Sequence, residues 1–168
     1  MIDVIGTDAA GVAALPAPLQ KLVHQAQLLA APSRLLADLP TGTSAETVST
    51  DRPDRVFEPL RQALAMGQPA VVLASGDPLW FGIGRLLLQQ FPAKQLRFHP
   101  APSSMQLAFA RIGRPWQDAT WVSLHGRDPE PLAALLQKRP AALAVLTEPG
   151  SAGAEAVLAV LRASGLAS

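Results

Sequence analysis

The stretch AVVLASGDPLWFGIG, residues 70–84, decides how the rest of the chain is read. A continuous apolar run, Ala70–Ala74, meets Gly76-Asp77-Pro78 and then two further glycines. Short apolar runs bounded by turn residues are the mark of a strand buried on both faces. Asp77 then sits at the mouth of that strand, with no histidine or cysteine within ten residues on either side. A turn, a phosphate loop, a metal site and a cofactor pocket are the candidate explanations.

Working outward, strand-like runs alternate with helix-spaced segments. Ile2–Gly6 is a strand ending at glycine. Residues 18–30 carry Leu19, Leu22, Val23, Ala26, Leu29 and Ala30 at helical spacing, although Leu28–Ala31 reads equally as a short strand. Residues 40–54, PTGTSAETVSTDRPD, are polar and turn-rich and predict a surface loop. Phe57, Leu60 and Leu64 predict a helix ending at Gly67, and Ile83, Leu86, Leu87 and Phe91 predict the helix after Asp77. QLRFHP (95–100) is a strand, and Ser103 or Ser104 caps a helix running to Gly113. TWVSLHG (120–126) and ALAVLT (142–147) are strands. Each is followed by a helix, marked by Leu132, Leu135 and Leu136 and by Val157, Val160 and Leu161. This alternation predicts the α/β class, with parallel sheets covered on both faces. HPAP at 99–102 suggests a boundary, giving an N-terminal α/β domain over 1–99 and a C-terminal one over 100–168. The second sheet would have few strands, so an incomplete second domain is expected.

Composition narrows the function. The 168 residues are 49% hydrophobic and 16% charged, with a formal net charge of +1, which argues against disorder and against a nucleic-acid partner. Cysteine is absent, which removes thiolate metal sites and a cysteine nucleophile. The apolar runs fall short of the roughly 20 residues a membrane span needs. With a strand starting at Ile2 there is no room for a signal peptide, so a cytoplasmic location is expected.

In α/β proteins ligands collect beyond the carboxyl ends of strands. Loops 6–11 (GTDAAG), 75–82 (SGDPLWFG), 100–104 (PAPSS) and 124–129 (LHGRDP) take that position, with the loop after Thr147 as a further candidate. GTDAAG lacks the G-x-G-x-x-G spacing of a dinucleotide site and reads as a strand-to-helix turn. No lysine follows the glycines of 76–84, which removes the phosphate loop. His24, His99 and His125 are far apart and Asp77 has no acidic neighbour, so no metal site is expected. No G-x-S-x-G marks a hydrolytic serine. Asp77 with Pro78 is read either as a turn that caps the next helix or as a functional acid. His125 reads as structural before catalytic, whereas the planar fork of Arg127 suits an anion. Trp80, Phe81, Trp116 and Trp121 are expected mostly in cores, with Trp80 and Phe81 the two best placed to line a pocket.

Taken together and in order, VVLASGDPLWFGIG, PAPSSMQLAFARIG and SLHGR resemble the tetrapyrrole (corrin and porphyrin) methylases of cobalamin biosynthesis. The likeness runs from Met1 to about Pro149 and is nearest to the branch acting at carbon 5 of a precorrin. It implies two α/β domains, S-adenosylmethionine in the cleft between them, a precorrin substrate and a homodimer. It further implies Ser75, Gly76, Asp77, Trp80, Ser103, Ser104, Leu124 and His125 at the cofactor. Arg127, Arg111 and Arg114 become candidates for the substrate's carboxylates, and no catalytic acid or base is expected. The loop after the first strand departs from the family's Gly-x-Gly-Pro-Gly pattern, with Ala9 where a proline often touches the cofactor.

Overall fold

A computed structural model describes residues 1–40, 42–124, 130–147 and 150–166. The chain divides into two compact units, Met1–Ser104 and Met105–Ser168. The first is built on strands β1 (Ile2–Thr7), β2 (Leu28–Ala31), β3 (Glu46–Ser49), β4 (Ala70–Ser75) and β5 (Leu96–His99). They form one parallel sheet in the order β3-β2-β4-β1-β5. Helices α1 (Ala17–Gln25), α2 (Ser33–Ala37), α3 (Phe57–Ala65) and α4 (Gly84–Gln90) connect the strands.

Strand alternation divides the core into two layers. Val4, Leu28, Ala30 and Val72 face Val56 and Leu60 of the α3 connection and Leu87 of α4. Ile5, Leu29, Val71 and Leu73 face Val23 of α1 and Leu35 of α2. The central strands are buried on both sides, which is why β1, β2 and β4 read as nearly unbroken apolar runs. Moves from β1 to β2 and β2 to β3 pass over the α1/α2 face, while moves in the opposite direction pass over the α3/α4 face. A single crossover hand requires that division.

Two ambiguities of the sequence resolve here. Leu28–Ala31 is a strand, because α1 ends at Gln25 and Ala26 turns to extended backbone at φ −62°, ψ 138°. The expectation of a loop throughout 40–54 is corrected: Glu46–Ser49 pairs with β2 as an edge strand. Only Val48 of β3 packs on the core, so the strand carries no apolar alternation to announce it.

The second unit contains helix α5 from Ser104 to Arg111, its first residue closing the first unit, and strands β6 (Ala119–Ser123) and β7 (Ala142–Leu146). Helices α6 (Glu130–Gln137) and α7 (Ser151–Ala163) complete it. β6 and β7 pair in parallel, and Val122, Leu124 and Leu132 form a small core with Val157 and Val160 packed on it. Trp116 corrects the expectation of a core aromatic: it is 40% exposed and lies against Trp121 with ring centroids 6.0 Å apart. No described helix is long and apolar enough to cross a membrane.

Candidate functional site

The strand order creates the site. β1 and β4 are neighbours, yet the chain leaves β1 over one face of the sheet and leaves β4 over the other. Diverging connections leave a crevice beyond the carboxyl ends of such a pair, where backbone N–H groups remain available to a ligand. Its floor is backbone. A Cβ on Gly6 would lie 2.0 Å from the Gly76 carbonyl oxygen and 2.7 Å from the Ala101 nitrogen. A Cβ on Gly76 would lie 3.2 Å from Ser103 Cα, and its φ of +65° favours glycine independently. The Gly76 N–H donates to the Thr7 carbonyl at 2.7 Å, and the Thr7 hydroxyl donates to the Ala74 carbonyl. The loops after β1, β4 and β5 are therefore locked at backbone distance.

Asp77 shapes the wall. Its Oδ1 accepts the Leu79 N–H at 2.8 Å and its carbonyl accepts the Trp80 N–H at 3.1 Å. Asp77 therefore makes the expected turn but does not cap the next helix, because α4 begins only at Gly84. The Pro78 carbonyl holds the other end of the loop, accepting the Gly84 N–H at 2.8 Å. Phe81 is forced to φ 53°, a left-handed conformation that costs a bulky residue about 1 kcal/mol or more. Trp80 and Phe81 meet edge-on at 5.0 Å, Phe81 exposed and Trp80 half-buried.

Trp80 supplies the most telling atom. Its indole N–H is closed off from solvent and has no hydrogen-bond partner among the described residues. A buried donor left unmade costs about 1–3 kcal/mol, so such an atom calls for an acceptor that the described residues do not supply. The second carboxylate oxygen of Asp77 is likewise uncommitted among the described residues. Close backbone, one free acid oxygen and one free indole N–H suit a cationic ligand with hydrogen-bond acceptors.

The other expected residues fall as follows. Ser75 ends β4 at the rim, exposed, and Ser103 is buried just ahead of α5, where Ser104 is the exposed first residue. Leu124 is buried in the second unit, and its N–H donates to the Leu146 carbonyl at 2.7 Å. Arg111 is exposed near the end of α5. Arg114 donates to Asp118 at 2.9 Å and to the Ala141 carbonyl at 3.3 Å. His125 and Arg127 lie outside the described residues. The 6–11 loop is a simple turn in which Asp8 Oδ1 accepts the Ala10 N–H and Gly11 takes φ +66°. No group of three His, Asp or Glu side chains able to hold a metal occurs among the described residues.

Sequence reading missed two features. Asp3 stands in the buried strand β1, and its partners come from β5 by register, since Asp3 pairs with Arg97 and Ile5 with His99. Arg97 donates twice to Asp3, at 2.6 and 2.9 Å, and His99 Nε2 lies 2.7 Å from Oδ1. Burial pushes the Asp3 carboxyl up, but the hydrogen bonds and charges of Arg97 and His99 outweigh it and hold the group below its ordinary range. An acid inside an apolar strand run was the available signal. The second feature is Arg34 on α2, which donates to the Ser75 hydroxyl.

A doubly wound parallel sheet whose neighbouring strands β1 and β4 send their connections over opposite faces defines an α/β protein with a Rossmann-like sheet. Residues 3–167 match the family model of the Tetrapyrrole (Corrin/Porphyrin) Methylases, and the chain belongs to that family. It is 38% identical over 134 residues to the precorrin-6Y C(5,15)-methyltransferase (decarboxylating) of Sinorhizobium sp, covering 75% of this chain and 30% of that protein. It is 36% identical over 131 residues to the cobalt-precorrin-7 C(5)-methyltransferase of Salmonella typhimurium, covering 76% and 62% respectively. The chain thus spans less than two thirds of the length of either relative. Among solved structures, the methyltransferase CobJ shares the fold with a TM-score of 0.72 at 20% identity, over 97% of this chain and 75% of that one. The precorrin-6Y methylase cbiE of Archaeoglobus fulgidus gives 0.58 at 22% identity, over 88% and 73%. The family resemblance drawn from the three motifs is borne out.

Proposed function

We propose that the crevice at the ends of β1 and β4 binds S-adenosylmethionine, and that the chain directs methyl transfer to carbon 5 of a precorrin. The observation that carries this reading is the orphaned indole N–H of Trp80, in the loop that leaves β4 at Gly76. The similarity to C(5)-methyltransferases supplies the choice of substrate and carbon.

S-adenosylmethionine brings a methyl group already activated on a sulfonium, so the protein must supply position and dryness rather than an acid–base pair. Gly6 and Gly76 let the loops after β1, β4 and β5 close on one another at backbone distance, which fixes the shape of the floor. Asp77 sets a negative charge against a cation. Trp80 donates its free N–H, while its ring and that of Phe81 keep water from the crevice. Ser103 and Ser104 add hydroxyls from the loop after β5. No side chain in this set needs to move a proton.

The test is incubation with S-adenosylmethionine labelled with 13C at the methyl group and a precorrin acceptor, read by 13C NMR. A new labelled methyl at carbon 5 is expected. Label at another ring carbon would overturn the choice of carbon, and no transfer would overturn the assignment as a methyltransferase.

A further inference from the structure

Arg34 is held where an anion would approach the site. It follows β2 directly, on α2, and so stands at the same sheet edge as the crevice. Its guanidinium donates to the hydroxyl of Ser75, the last residue of β4. One serine hydroxyl engages a single donor of a group that carries five. Arg52, Arg61 and Arg97 of the first unit engage Asp54, Glu58 and Asp3, whereas Arg55 and Arg85 share with Arg34 the lack of a carboxylate partner among the described residues. Asp51, at the end of β3, turns instead to the Ser33 backbone N–H, at 3.3 and 3.4 Å. Hydrogen bonding from Ser33, ahead of Ser49, keeps the Asp51 carboxyl below its ordinary range.

A single neutral hydroxyl leaves most of the guanidinium's donors unused. A second, charged acceptor would complete the arrangement. The planar fork left open suits a carboxylate, which it can grip with two parallel hydrogen bonds. Arg34 and Ser75 are both exposed, at the rim rather than on the glycine floor. An acceptor at this rim lies away from the floor assigned above to the cofactor.

We propose that Arg34, positioned by Ser75, anchors a carboxylate side chain of the tetrapyrrole substrate at the rim of the crevice. This rests on the function proposed above. The probe is uroporphyrin III, a tetrapyrrole with eight carboxylates, with binding followed by quenching of tryptophan fluorescence. Arg34→Ala should weaken it about tenfold, as loss of a charged hydrogen-bonding partner implies. Arg34→Lys, which keeps the charge but not the fork, should restore part of that affinity. Lys94→Ala, which removes an exposed charge just before β5 at the opposite sheet edge, should leave binding unchanged. S-adenosylmethionine affinity, measured by calorimetry, should be the same in Arg34→Ala as in the wild type.

The proposal is overturned if the wild type does not bind uroporphyrin III, or if Arg34→Ala binds it within twofold of the wild type. It is also overturned if Arg34→Ala loses S-adenosylmethionine instead, since the carboxylate gripped would then be the cofactor's. Failure of the wild type to bind S-adenosylmethionine is a separate result, which removes the underlying function.

Discussion

Replacing Gly6 by alanine tests how the crevice is built. The added Cβ would fall 2.0 Å from the Gly76 carbonyl oxygen and 2.7 Å from the Ala101 nitrogen. Both atoms are backbone, so no side chain can swing aside. Gly76 is itself tied to Thr7 by a 2.7 Å hydrogen bond, and β1 is buried on both faces. Relief requires the loops after β1, β4 and β5 to separate by more than 1 Å, breaking that bond or straining the strand ends. Overpacking of a closed site costs typically 1–3 kcal/mol, and this backbone-only clash belongs at about 3. For a unit of roughly 100 residues that corresponds to a fall in Tm of about 12 °C or more. Gly67→Ala is the control: its φ is +67° but nothing lies within 4 Å of the added carbon. Only torsional strain of about 1 kcal/mol then applies, lowering Tm by about 4–8 °C. Thermal unfolding by circular dichroism reads both variants. S-adenosylmethionine titration of Gly6→Ala at 10 °C should show binding lost. If Gly6→Ala melts within 2 °C of the wild type and binds cofactor within twofold, the backbone-floored crevice is wrong.

Other consequences are as direct. The Asp3 carboxyl titrates lower in the folded chain than in the unfolded one, so its contribution is complete above the unfolded value near ~3.9 and disappears as pH falls through the lowered folded value. Arg97→Ala raises the folded value and should move the acid limb of the unfolding curve to higher pH. Because Arg97 is half-exposed, the loss at neutral pH should be only about 1 kcal/mol, and an unchanged acid limb would contradict the assignment. Leu132 is fully buried in the small core beneath β6 and β7. Leu132→Ala should cost about 2–5 kcal/mol, seen as loss of amide-exchange protection in the second unit.

How much of this was legible differs from element to element. β1 and β4 announced themselves because strands covered on both faces are apolar throughout, and the glycines marked their ends. β3 did not, because an edge strand with one packed residue, Val48, has the composition of a loop. The convergence of loops 6–11, 75–82 and 100–104 followed from the α/β rule alone. That Gly6 faces Gly76 required the order β4-β1-β5, which local spacing does not encode. Asp77 was visible as a turn residue, whereas the strained φ of Phe81 and the orphaned N–H of Trp80 are products of tertiary closure. Arg34 was invisible because its partner, Ser75, lies 41 residues away. Asp3 was hidden within a run read only for its apolar residues.

Calorimetric titration with S-adenosylmethionine, comparing the wild type with Trp80→Phe, tests the central claim most directly. Phenylalanine keeps an aromatic wall and removes the orphaned donor. The variant should be as stable as the wild type or more so, by up to about 1 kcal/mol, because it no longer buries an unpaired N–H. The wild type should bind at micromolar concentration, and the variant about tenfold more weakly. No heat of binding from the wild type at millimolar cofactor, or equal affinity in the two proteins, would contradict the account.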